Sequence, residues 1–89
     1  MIDKVFSTLN NKLGEFTFKD YTNNIDANNL TGGIIHCGTN CLNVPTSYCG
    51  VLTLFNLSND GVQIALAILG NKLYTRTKTR GDWSEWVEK

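Results

Sequence analysis

Charge is scarce in this chain where a small protein usually carries most of it. The 89 residues hold 8 Lys+Arg and 8 Asp+Glu, for a formal net charge of zero. From residue 27 to residue 72 the charged side chains are Asp60 and, closing the interval, Lys72. A neutral chain has no electrostatic footprint for nucleic acid or for an anionic membrane. Long apolar runs are also missing. A membrane-spanning helix needs ~20 apolar residues, and residues 62–69, the most apolar stretch, are far fewer. Residues 1–9 lack the apolar core of a secretory signal. The expectation is a chain made in the cytoplasm, without a signal peptide and without membrane insertion. No glycine-rich phosphate loop is present, so no nucleotide cofactor is expected.

Catalytic and metal-binding signals are equally sparse. His36, Cys37, Cys41 and Cys49 are four soft ligands in 14 positions, and zinc accepts such a set. Their spacing matches no common zinc signature, and Cys-x-x-Cys does not occur. The expectation is no metal, with the thiols serving as small buried packers. A Cys37–Cys41 disulfide would fit geometrically, but a protein made in a reducing cytoplasm would not depend on it. His36 and Cys37 cannot act as a base–nucleophile pair, because neighbours in a strand point to opposite faces. Asp82 and Glu85 could flank a sugar as glycosidase carboxylates do. Beside Trp83 and Trp86 they read more simply as turn formers and surface charge. No catalytic residue is assigned.

What the chain does have is alternation. In residues 73–80, Tyr74, Arg76, Lys78 and Arg80 fall on one face of a strand; Leu73, Thr75, Thr77 and Thr79 fall on the other. Arg80-Gly81-Asp82 is a turn, and Trp83 and Trp86 follow in a last extended piece. Burying two indoles would order the chain to its end. Residues 51–57 form a strand, Ser58-Asn59-Asp60-Gly61 a hairpin turn, and residues 62–69 a strand apolar on both sides and so buried on both. Gly70-Asn71 turns into residues 72–79. The result is an antiparallel meander over residues 51–87. Ala65 and Ala67 leave room that Trp83 and Trp86 would fill.

Upstream, residues 15–21 alternate, with Phe16 and Phe18 on the buried face of a strand. Residues 22–33 are turn-rich, Ile34 and Ile35 form a short strand, and residues 36–50 form a long aperiodic loop. Ile2, Val5, Leu9 and Leu13 follow helical steps, and Gly14 stands where a helix cap is expected. Residues 1–14 are therefore expected as a short helix, either packed on the domain or ending a coiled-coil stalk. Residues 15–89 follow as one mainly β (α+β) domain.

The ending and two upstream segments together resemble a known family. Tyr74-Thr75-Arg76-Thr77, a glycine-containing turn, and Trp83-Ser84-Glu85-Trp86 resemble the close of the knob domain of phage tail fibres and R-type pyocin fibres. Asn43-Val44-Pro45-Thr46-Ser47-Tyr48-Cys49-Gly50-Val51-Leu52 is similar to that family's Asn-x-Pro segment running into Tyr-Gly-Val-Leu, with Cys49 as an extra residue. Asn28-Asn29-Leu30-Thr31-Gly32-Gly33-Ile34-Ile35 is similar to its Asn-x-Leu entrance, with isoleucines in place of aromatics. The turn before Trp83 is shorter than the family's, and the cysteines are additional. Trp-Ser-x-Trp also occurs in thrombospondin repeats, but three mid-chain cysteines cannot supply their disulfide framework.

The resemblance implies a β knob at the head of a virion or phage-derived fibre, a homotrimer, and attachment without catalysis to a bacterial surface glycan. A purely structural fibre module and a glycan hydrolase are the alternatives. Tyr48, Tyr74, Arg76, Asn40 and Asn43 are the residues expected to meet the glycan. Trp83 and Trp86 serve either as core or as stacking platforms, since an indole face suits a pyranose.

Overall fold

The computed structural model describes residues 17–89. The helix expected over residues 1–14 lies outside them, as does Phe16. Among the described residues the protein is mainly β, with one sheet and no α-helix. Strand β1 (Thr17–Thr22) lies parallel to β2 (Gly33–Cys37). Strands β3 (Cys49–Asn56), β4 (Gly61–Ala67) and β5 (Leu73–Thr79) continue the sheet antiparallel. The chain then folds back along β5 as two short strands, β6 (Asp82–Trp83) and β7 (Val87–Glu88). The expected meander is present, and β1 and β2 extend it at one edge.

The hairpins follow local chemistry. Arg80 and Gly81 have φ of 51° and 86°, and Gly70 and Asn71 of 88° and 51°. Paired positive φ values suit the right-handed twist of the flanking strands. The turn between β3 and β4 is different. Gly61 does not take a positive φ and already belongs to β4; the Leu57 N–H donates to the Asp60 carbonyl instead.

The register sorts the residues into two unlike faces. On one, Ile35, Val51, Ala65 and Tyr74 form a cross-strand row, and Cys37, Cys49 and Ala67 form the next. Loops cover this face. Residues 23–30 and 41–44 run together through a bridge between Asp26 and Leu42, in which Leu42 N–H donates to Ile25 and Ala27 N–H to Leu42. Ile25, Leu30, Cys41, Val44, Tyr74 and Trp86 pack on the core from this layer and from β5. Trp86 packs on the cluster that contains Ala65, whereas Trp83, expected beside it, does not join that packing and lies over Arg76 instead.

A third row on the covered face is polar. Gly33, Thr53, Gln63 and Arg76 are aligned across β2 to β5. Gln63 is completely buried; its amide donates to Thr53 Oγ1 at 3.0 Å and to the Ala27 carbonyl at 2.8 Å. Its Oε1 accepts Arg76 Nε at 2.8 Å. Every buried polar atom of Gln63 therefore has a partner, as burial requires.

The opposite face corrects the reading of residues 62–69. Its large side chains are not buried. Ile34, Leu52 and Ile64 stand opposite one another in one row, and Leu66 and Leu73 in the next. Leu66 is 49% exposed and Ile34 40%. Phe18, expected in the core, is 75% exposed. The buried residues of β4 are instead Gly61, Gln63, Ala65 and Ala67. Under the covering loops β4 contributes small residues and one hydrogen-bonded glutamine, while Ile35 and Val51 from the neighbouring strands supply the larger apolar groups.

The ladder from Thr53 to Arg76 makes a definite prediction. Gln63→Ala strips one acceptor from a buried cation and should cost about 2–4 kcal/mol. Urea unfolding measures this; unchanged stability would show that the ladder carries no structural weight.

Candidate functional site

The polar row surfaces at one end of the covered face. Arg76 is only 5% exposed, yet its guanidinium reaches the floor of a cleft. Nε is held by Gln63, and Nη2 donates to Asn28 Oδ1 at 2.9 Å. The Trp83 ring lies over the guanidinium with its centroid 4.3 Å from Cζ, and the Trp86 ring at 4.8 Å. Each such contact is worth about 0.5–2 kcal/mol, more as water is excluded. Burial lowers the Arg76 pKa to about 10, partly opposed by Asp26. The side chain therefore keeps its charge at neutral pH.

The return of the chain along β5 places the two indoles. Trp83 is opposite Lys78 in the β5–β6 register. Ser84 then ties itself to Thr77: its N–H donates to the Thr77 carbonyl at 2.7 Å, and its Oγ accepts the Thr77 N–H at 3.1 Å. The kink at Glu85 and Trp86 turns the second indole inward, where Nε1 donates to the Asn43 carbonyl at 2.8 Å. Asn43 is itself held, because its Nδ2 donates to Asp26 Oδ1 at 2.8 Å. Asn28, Asn43, Asp82, Ser84 and Glu85 complete the walls of a cleft of about 500 Å³.

The structure divides the expected site residues. Arg76 and Asn43 meet in this cleft. Tyr74 is half-buried against the core instead, and Asn40 lies exposed in the loop before β3 with φ of 57°. Tyr48 lies elsewhere. With Tyr21, His36, Ile68 and Leu69 it lines an apolar pocket of about 320 Å³. The Tyr21 and His36 rings meet edge to face at 5.1 Å, and those of Tyr21 and Tyr48 are 6.1 Å apart. The Tyr48 contact and desolvation raise the Tyr21 pKa. His36 stands on the uncovered face of the sheet, so this pocket and the cleft do not merge. As expected from strand geometry, His36 and Cys37 point to opposite sides.

Asn28 was not among the expected ligand residues. Its place in the cleft depends on the turn at Ala27–Asn29, whose cap Asp26 accepts the Asn28 N–H at 2.9 Å. Residue spacing alone carries no signal for that meeting with β5, 48 positions away. Among the described residues no group of His, Cys, Asp or Glu is arranged to hold a metal ion. Asp82 and Glu85 are exposed on the wall of the cleft.

No family model, no curated protein and no solved structure matches this chain. The chemistry of the cleft must therefore be read from its own residues. Two indoles stacked on a fixed cation line the cleft, together with amide, hydroxyl and carboxylate groups. That combination suits a ligand with flat C–H faces and many hydroxyls.

Gly61 sets the position of Trp83. A Cβ there would lie 2.7 Å from Trp83 Cη2 and 3.2 Å from Lys78 Cβ. Gly61→Ala should leave the sheet intact but push the indole off Arg76. The check is tryptophan emission together with the far-UV spectrum. An unaltered emission maximum would mean that Trp83 is not seated on Gly61 in solution.

Proposed function

We propose that this chain is the head of a phage or prophage tail fibre that attaches, without catalysis, to a glycan on a bacterial surface. It would act as a homotrimer on the virion or a phage-derived particle. The observation that carries the binding reading is the Arg76–Trp83–Trp86 stack at the floor of a polar cleft. Sugar rings lie on the indoles, and their hydroxyls accept from the Asn43 amide and donate to the Asp82 and Glu85 carboxylates. Resemblance to the fibre knob supplies the context of virion and host surface.

The apolar outer face supports the assembly reading. Leu52, Ile64, Leu66 and Leu73 form a continuous cross-strand patch of the kind that marks an interface. The scarcity of charge over residues 27–72 also fits a surface lying between copies. A domain this small gains stability from such burial. This face equally favours the second reading, a structural fibre module whose receptor contacts lie elsewhere.

Two measurements separate these readings. On an array of bacterial surface oligosaccharides, the intact chain should bind, and Trp83→Ala should weaken binding at least about tenfold, the loss expected when a good stacking contact is removed. Released reducing ends should be absent. A chain that binds no surface glycan at all would leave the structural reading in possession. In light scattering the chain should run as a trimer, and Leu66→Asp should convert it to folded monomer. A single monomeric species of the wild type across micromolar concentrations would overturn the assembly and much of the fibre reading.

A further inference from the structure

Cys37 and Cys49 are opposite each other at the ends of β2 and β3, and both are fully buried. Between them runs the loop of residues 38–48, which carries Asn40, Asn43 and Tyr48. All three cysteines are free thiols in this structure. Directly opposed residues of antiparallel strands have Cα atoms about 4.5–5.5 Å apart, inside the span of about 4.4–6.8 Å that a disulfide bridges. Cys41 packs against the buried cluster that contains Cys37 and Cys49. Cys41 is partly buried and is anchored by contacts of its Sγ with the Thr22 and Thr39 carbonyls at 3.8 Å and 3.7 Å. The buried pair thus has a less buried third thiol packed beside it.

We propose that Cys37 and Cys49 form an oxidation site, in which a disulfide closes the base of the loop that supplies Asn43 to the cleft, and that Cys41 is the thiol through which the oxidant enters. The oxidant is a low-molecular-weight disulfide. The Cys41 thiolate attacks one of its sulfurs, forming a mixed disulfide and releasing one thiolate. The Cys49 thiolate takes the Cys37 proton as the Cys37 sulfur attacks the Cys41 sulfur and displaces the second small thiolate. Cys49 then passes that proton to the departing thiolate, attacks the Cys37 sulfur and returns Cys41 as a thiolate. In sum two protein thiols lose two electrons and two protons, and one small disulfide becomes two small thiols.

The pairing of the last step has local support. Cys49 ionises more readily than an ordinary cysteine because the Cys37 thiol donates to it, burial opposes this, and the Thr46 backbone favours it. Cys37, which holds the remaining proton, is correspondingly pushed far up. Once the bond forms, the loop is a ring whose closure no longer depends on backbone contacts such as Tyr48 N–H to the Gly38 carbonyl at 3.3 Å. Ring closure restricts the unfolded chain and so raises thermal stability. The readout below is a bond map, which stands or falls whether or not the cleft takes a glycan.

The test is incubation of the full 89-residue chain with oxidised glutathione, followed by alkylation in denaturant and peptide mapping. The expected product is about 2 Da lighter than the reduced protein before alkylation, keeps one alkylatable thiol at Cys41, and melts several degrees higher. Cys41→Ser should give the same Cys37–Cys49 bond, but at least severalfold more slowly. A final bond mapping to Cys41, or Cys41 glutathionylated with Cys37 and Cys49 still free at equilibrium, overturns the site. Oxidation of Cys41→Ser at the wild-type rate overturns the entrance through Cys41.

Discussion

A buried arginine constrains most of this molecule. Arg76 stands on a central part of the sheet, and its charge persists there at neutral pH. A cation taken out of water is tolerated only when its donors are matched and its surroundings polarisable. Gln63 and Asn28 supply the acceptors, and Trp83 and Trp86 supply two ring faces. Gln63 can serve only because Thr53 and the Ala27 carbonyl hold its amide. One ladder therefore links β3, β4 and β5 to the covering loop and to the last strands. It stiffens the very residues that form the floor of the cleft.

The same ladder explains the inverted appearance of the sheet. Its covered side carries Ile35, Val51 and Tyr74 beside alanines, cysteines, a glutamine and an arginine, whereas its uncovered side carries leucines and isoleucines. On β4 the loop-covered positions hold glycine, alanines and a hydrogen-bonded glutamine. The leucines of the sheet are left on the side without a layer. In the proposed assembly this apolar face lies between copies, so that binding and assembly use opposite sides of one sheet.

Local strain is concentrated in the segments that cover the sheet. Asn24, Asn40 and Asn43 have φ near 60°, which asparagine tolerates. Tyr48, at 55°, is the exception, since a bulky aromatic residue seldom takes this conformation. It is held between Gly38, which accepts its N–H, and Ile68, which donates to its carbonyl at 3.0 Å. The strain turns the ring toward Tyr21 and His36. Gly38 permits that approach, for a Cβ there would collide with Asn23 and the Tyr21 ring. The imidazole Nε2 of His36 is buried beside these rings without a hydrogen-bond partner among the described residues.

Strand positions and turns were legible in the sequence because alternation and glycine placement are local properties. The meander, the turns at Gly70-Asn71 and Arg80-Gly81, and the opposed faces of residues 73–79 all follow from them. Arg76 and Asn43 were recognisable as candidate ligand residues, but Tyr48, Tyr74 and Asn40 do not join them. Which face of β4 is buried could not be read, because residues 62–69 are apolar on both sides and only the covering layer breaks the tie. Nor could the meeting of Asn28 with Arg76, or of Cys37 with Cys49, since each depends on strand register between distant segments. The sequence by itself determined where the chain extends and where it turns; long-range hydrogen bonding and close packing decided which side faces inward and which residues share a site.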